Sequence, residues 1–187
     1  MKKIFNILFL ILCFGRCVSA SAGEHGWWSD WLGAMKRTAD DPTSYSVYRP
    51  VSVYHMRWNY EREAINRYNE TPRGLGFGVS RVEGYSEHSL YFVGFSDSNY
   101  HFQGAFGYGR IYNIWRPGNF LNMGGGFTIS AQMRSEYNHI PIPIPLPLAS
   151  VDFGPFSMQA AYVPGWRGMG NVAIFQGKLR IRAGERS

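Results

Sequence analysis

From Val47 onward the chain reads as short runs of alternating apolar and polar residues, dense in aromatic side chains and glycine, with no long apolar helix. Successive side chains of a strand point to opposite faces, so each run carries one apolar face and one polar face. Eight such segments stand out: Val47 to Trp58, Arg73 to Val82, Ser89 to Asp97, His101 to Tyr112, Phe120 to Met133, Leu146 to Phe153, Phe156 to Val163 and Gly170 to Ile181. A closed barrel with an apolar outer wall uses such strands and leaves no unpaired edge for lipid to meet. Its polar turns also explain a negative mean hydropathy, −0.24, in a chain that is 17% aromatic. The predicted fold is all-β: an eight-stranded antiparallel outer-membrane β-barrel with an N-terminal amphipathic helix.

The start of the chain fits that address. Lys2 and Lys3, the mostly apolar run Ile4 to Phe14 and the small residues Val18-Ser19-Ala20 are the three parts of a secretion leader. A spanning helix needs roughly 20 apolar residues, and Arg16 interrupts this run too early. Arg16 is also a poor neighbour for lipidation of Cys17. Residues 1–20 are expected to be a signal peptide and 21–187 a single barrel domain, with the helix at about 26–38 and the barrel at about 47–182. Both cysteines lie in the leader, so no thiol chemistry is expected in what remains.

Of the 19 basic residues, Lys2, Lys3 and Arg16 leave with the leader, so 16 face 13 acidic ones. They are scattered singly, which argues against nucleic acid and suits a rim near anionic headgroups. Trp27, Trp28, Trp31, Leu32 and Met35 fall on one face of a short helix amid Ser29, Asp30, Lys36 and Arg37. Such a segment lies in a membrane interface or plugs a core. Short turns around Gly84, Pro117 and Gly154-Pro155 alternate with long connections, Asn59 to Pro72 and Arg134 to Pro145. In barrels of this kind short turns face the periplasm and long loops the outside.

In GLGFGVSR, Gly74, Gly76 and Gly78 alternate with Leu75, Phe77 and Val79, so one face of that strand has no side chains. Either the glycines relieve crowding where the barrel bends, or they clear a wall for an extended ligand. Gly107, Gly109, Gly124 and Gly126 repeat the theme. Pro50, Pro72, Pro147 and Pro164 cannot donate to a ladder, so they are expected either to loosen two seams or simply to begin and end strands. An unpaired seam is a gate through which lipid can enter sideways.

The histidines at 25, 55, 88, 101 and 139 lack metal-site spacing, and no GxSxG elbow occurs, so neither a metal centre nor an α/β-hydrolase is expected. His55, near the outer end of the first strand, and Asp97-Ser98, at the top of the third, reach the same rim. A base, an acid to orient it and a hydroxyl are what acyl transfer needs. Asp97 and Ser98 share that work only if the chain turns there, which Asn99 permits. The bland alternative is a turn cap beside a packed histidine.

RYNETPRGLGFGVSR (Arg67 to Arg81), FSDS (Phe95 to Ser98), GYG (Gly107 to Gly109), IPIPLPLASVDFGP (Ile142 to Pro155), YVPG (Tyr162 to Gly165) and GNV (Gly170 to Val172) together resemble the lipid A palmitoyltransferase family, PagP. The likeness runs from about Trp27 to Ile181 with the motifs in order. It implies an outer-membrane barrel of a Gram-negative envelope, monomeric and without cofactor, that moves palmitoyl from a glycerophospholipid donor to a hydroxyacyl chain of lipid A. The essential histidine falls on His55 and the Asp-Ser pair on Asp97 and Ser98. The acyl-measuring glycine falls on Gly109, beside Tyr108, and the gate prolines on Pro50 with Pro72 and on Pro147 with Pro164. Asn99 intervenes before the aromatic Tyr100, and the last strand ends on Ile181 before a polar tail; both depart from the family pattern. The rival readings are a non-catalytic barrel or adhesin and a module that binds an acyl chain without cleaving it. Substituting His55 separates them from the transferase.

Overall fold

The computed structural model describes residues 26–117, 120–133, 140–165 and 170–182; the leader, residues 1–20, lies outside that set. A helix α1 (Trp27–Asp40) precedes eight strands: β1 (Ser44–His55), β2 (Gly74–Glu83), β3 (Ser86–Ser96), β4 (Phe102–Trp115), β5 (Leu121–Met133), β6 (Pro141–Phe153), β7 (Phe156–Val163) and β8 (Val172–Arg182). A short helix α2 (Arg62–Arg67) sits in the first long loop. Every neighbour pair is antiparallel and β8 closes on β1, so the expected eight-stranded barrel is the fold.

Alternation puts Leu75, Phe77, Phe92 and Phe106 on the outer wall, all exposed. Exposed aromatics flank that band, Trp58, Tyr100 and Phe102 toward the loop end, and Tyr85, Trp115, Phe120 and Phe156 toward the turn end. An apolar belt between two aromatic girdles is the surface a spanning barrel presents to lipid.

The inner face is polar near the turn end. The Lys178 ammonium contacts the Glu87 carboxylate and donates to Ser80 Oγ at 2.8 Å. Arg180 reaches Glu87 Oε2 at 2.8 Å and Asp152 Oδ2 at 3.1 Å. Glu87, Asp152 and Lys178 are all buried, so each charge needs its partner, and together they brace four strands, β3, β6, β8 and, through Ser80, β2.

Helix α1 lies outside the barrel, against β2 and β3. Ala34 and Thr38 form its buried stripe and Trp31 meets the Tyr108 ring edge-on at 5.7 Å, whereas Leu32 faces outward. The inner face of α1 therefore follows Trp31, Ala34 and Thr38 rather than the expected line through Leu32; the side chains of Trp27 and Trp28 lie outside the described residues. Arg37 grips Glu83 through two hydrogen bonds, 2.9 and 3.2 Å.

Two ladders stop short. β1 pairs with β2 only from Ser44↔Ser80 to Tyr48↔Gly76, although β1 continues to His55. β6 pairs with β7 only from Phe153↔Phe156 to Leu148↔Ala161, although β6 reaches back to Pro141. That early start differs from the expected Leu146. Pro141, Pro143, Pro145 and Pro147 recur at every second residue, while the β5 ladder runs the full length of β6. Alternate residues of a strand direct their backbone groups to opposite neighbours, so prolines in this phase cost the β5 ladder nothing and leave the β7 side bare.

Candidate active site

A β-bulge decides where His55 points. Ser44, Ser46, Tyr48 and Pro50 face inward at even positions; then the register against β8 slips between Pro50 and Ser52, and Val53 and His55 face inward at odd ones. Val51 is the extra residue that changes the phase. His55 is 3% exposed, at the loop end of the barrel interior.

Beyond Tyr48 the free edge of β1 is met by the loop segment around Glu70 instead of β2. The Val53 amide donates to the Glu70 carbonyl at 2.9 Å and Ser52 Oγ donates to it at 3.2 Å. The Glu70 side chain then reaches the imidazole, with Oε1 3.2 Å from His55 Nδ1 and accepting the His55 amide at 3.2 Å. Arg57 holds both carboxylate oxygens, at 2.9 and 2.6 Å. Burial pushes the Glu70 carboxyl upward, but the hydrogen bonds from Arg57 and from the His55 amide and ring outweigh it, so its pKa sits below the ordinary value.

The other ring nitrogen, His55 Nε2, lies 3.1 Å from Ser98 Oγ. Tyr68 stacks on the imidazole, centroids 4.6 Å apart, and Tyr60 meets it edge-on at 5.2 Å. Ser98 stands in a tight turn. Asp97 Oδ1 accepts the amides of Asn99 and His101, both at 2.8 Å, and the Asp97 carbonyl accepts the Tyr100 amide at 3.2 Å. The turn that joint action of Asp97 and Ser98 required is present, yet it separates their tasks. Asp97 shapes the turn, and the carboxylate on His55 belongs to Glu70, not to Asp97 as the sequence suggested.

Asn69 ties the two halves together. Its amide donates to the Ser98 carbonyl at 2.8 Å, and Nδ2 donates to Ser96 Oγ at 3.0 Å and to the Asp97 carbonyl at 3.2 Å. Adjacent residues of one loop thus fix the hydroxyl side through Asn69 and the imidazole side through Glu70. Asn69→Ala is expected to lower stability in detergent by about 1 kcal/mol, the net worth of such bonds, read as a lower Tm.

A shaft opens beneath the site. Its lining includes Val53, two residues below His55 on the same face of β1, and Phe95 near the end of β3, and it opens to the outside. Pro50 and Pro72 line it at one short seam, and Leu146, Leu148 and Ala161 at the other. Pro147 lies one residue beyond the last β6–β7 pair, and Pro164 one residue past the end of β7.

Gly109 faces this shaft. A Cβ there would lie 3.0 Å from Ser89 Oγ and 3.6 Å from Leu148 Cδ2, both lining residues. Tyr108, its neighbour, cannot share that duty because faces alternate. It lies on the outer wall under α1, 2.6 Å from His88 Nδ1 through its hydroxyl, which corrects its expected place in the interior. Gly74, Gly76 and Gly78 also differ from a cleared wall. They face inward, but a Cβ at each would come within 2.3–2.5 Å of a β3 backbone oxygen, and Val93 and the Tyr48 ring fill the adjoining space. The glycines let β2 close tightly on β3, and none of the three lines the shaft.

Sequence reasoning missed Glu70, Arg57, Tyr60, Tyr68 and Asn69. Three of them stand in RYNET, the stretch most specific to the resemblance, where no period marks a role because the segment is loop.

A closed barrel with a hydroxyl, an imidazole and a carboxylate in line at one mouth defines a class: small antiparallel barrels that carry an acid–base site at one end. A family model described as "Antimicrobial peptide resistance and lipid A acylation protein PagP" matches residues 34–178. The chain is 41% identical to the lipid A acyltransferase PagP of Pectobacterium atrosepticum over 159 residues, 83% of this chain and 73% of that protein. It is 39% identical to the protein of the same description from Citrobacter koseri over 176 residues, 91% and 93% of the two chains. It is 43% identical to that of Proteus mirabilis over 153 residues, 80% and 71%. This chain belongs to the PagP family.

Proposed function

We propose that this protein is an outer-membrane acyltransferase that moves a palmitoyl chain from a glycerophospholipid to a hydroxyacyl chain of lipid A. The observation that carries the reading is the line Ser98 Oγ, His55, Glu70, with His55 two residues along β1 from Val53, which lines the shaft. The shaft takes the donor's hydrocarbon and leaves its ester at the mouth. His55 Nε2 takes the proton of the attacking hydroxyl as oxygen bonds to the ester carbon, then returns it to the glycerol oxygen as that C–O bond breaks. One acylated product and one lysophospholipid leave. Ser98 Oγ stands where that nitrogen accepts a hydroxyl proton.

Lipids reach the shaft sideways in this scheme. Among the described residues the ladders stop short at the seams above Tyr48↔Gly76 and above Leu148↔Ala161, and Pro50, Pro72, Pro147 and Pro164 stand near them. The apolar belt and the continuous ladders elsewhere among the described residues support residence in an outer membrane. The direct test is lipid A mass spectrometry from cells with and without the full chain. A mass increase of one palmitoyl group, dependent on the chain, is expected; identical spectra with the protein folded in the membrane would refute the reading.

A further inference from the structure

We propose that Glu70 is the positioning residue for His55, fixing its tautomer and ring orientation so that the lone pair of Nε2 faces Ser98. The inference rests on the acyl-transfer reading above and goes further by naming the acid member of the site. Glu70 Oε1 faces His55 Nδ1 at 3.2 Å and the Arg57 guanidinium clasps both carboxylate oxygens. A carboxylate held ionised by a guanidinium is only an acceptor. The hydrogen of the neutral ring therefore stays on Nδ1, and Nε2 is left as the basic nitrogen, 3.1 Å from Ser98 Oγ.

The ring has little freedom to choose otherwise. Tyr68 covers one face and Tyr60 abuts it edge-on, so turning the imidazole over would sacrifice both hydrogen bonds without relieving any contact. As the ring becomes imidazolium, the anion beside Nδ1 stabilises the new charge, which is how a carboxylate behind a catalytic imidazole acts. Asp97 Oδ1 is directed elsewhere, accepting the Asn99 and His101 amides. Glu70 also reaches the His55 amide, so the same oxygen holds backbone and ring of one residue.

The test compares Glu70→Gln, Glu70→Asp and His55→Ala in the full-length protein, in detergent with labelled phospholipid, together with 15N NMR of the His55 ring. Glu70→Gln is expected to lower kcat by about 10²-fold, within the range set by misplacing a general base, with KM little changed, and Glu70→Asp to recover part of it. The unaltered protein is expected to show the Nδ1–H tautomer, and Glu70→Gln a mixture. An Nε2–H tautomer in the unaltered protein overturns the proposal even if the variants fold poorly. So does a Glu70→Gln enzyme whose kcat is unchanged while His55→Ala is inactive. If His55→Ala itself keeps activity, the acyl-transfer reading fails instead.

Discussion

His55→Ala is expected to reduce transfer of palmitoyl to lipid A by about 10²–10⁴-fold, the contribution of a placed general base, and to leave the barrel folded. The side chain is held on four sides, by Glu70, Ser98, Tyr60 and Tyr68, so its removal deletes the proton acceptor and nothing of the strand ladders. Turnover of labelled phospholipid measures the loss, and the lipid A mass spectrum confirms it in cells. His101→Ala is the matched control. His101 joins the turn through its backbone, its amide donating to Asp97 Oδ1 and its carbonyl accepting the Asp97 amide, both at 2.8 Å, and both bonds survive the change. Equal activity in the two variants would show that proximity to the rim, and not the imidazole of His55, is what matters.

Gly109→Met is expected to move donor preference from hexadecanoyl to shorter chains. The new side chain starts 3.0 Å from Ser89 Oγ and 3.6 Å from Leu148 Cδ2, so it must extend into the shaft that both residues line. Three added heavy atoms beyond Cβ displace about three methylenes, each worth about 0.8 kcal/mol of burial. The discrimination against the full-length chain then approaches about 2–3 kcal/mol, about 30–160-fold. Competition between phospholipids of graded acyl length measures it. Unaltered preference would place the end of the ruler elsewhere, whereas loss of all activity at every length would point to a collapsed shaft. The substitution is predicted to spare kcat for the preferred shorter donor, because Gly109 lies in mid-strand β4, away from His55, Glu70 and Ser98.

Much of the barrel was legible because period-two patterning is imposed by lipid on one side and a polar interior on the other. The strand count, the turns at Gly84 and Gly154 with their positive φ, and the two weak seams at Pro50 and Pro147 all follow from local chemistry. Alternation misleads where it is interrupted. Counted from Tyr48 and Pro50, a strict period of two turns His55 outward; only the extra residue at Val51 brings it inside, and no composition marks that bulge. Tyr108 shows the opposite error. Adjacency to Gly109 in sequence suggested a shared pocket, but adjacency in a strand means opposite faces, and the tyrosine serves α1. Glu70 was unreadable for a third reason: fifteen residues separate it from His55, and a loop, whose path no periodicity records, brings them together.

The ionic brace of Glu87, Asp152, Lys178 and Arg180 crosses the lumen near the turn end of the barrel. A hollow cylinder set in an envelope would ordinarily be a leak. Here a small solute descending the lumen would meet paired charges drawn from several walls, so the residues that brace the strands also obstruct the passage.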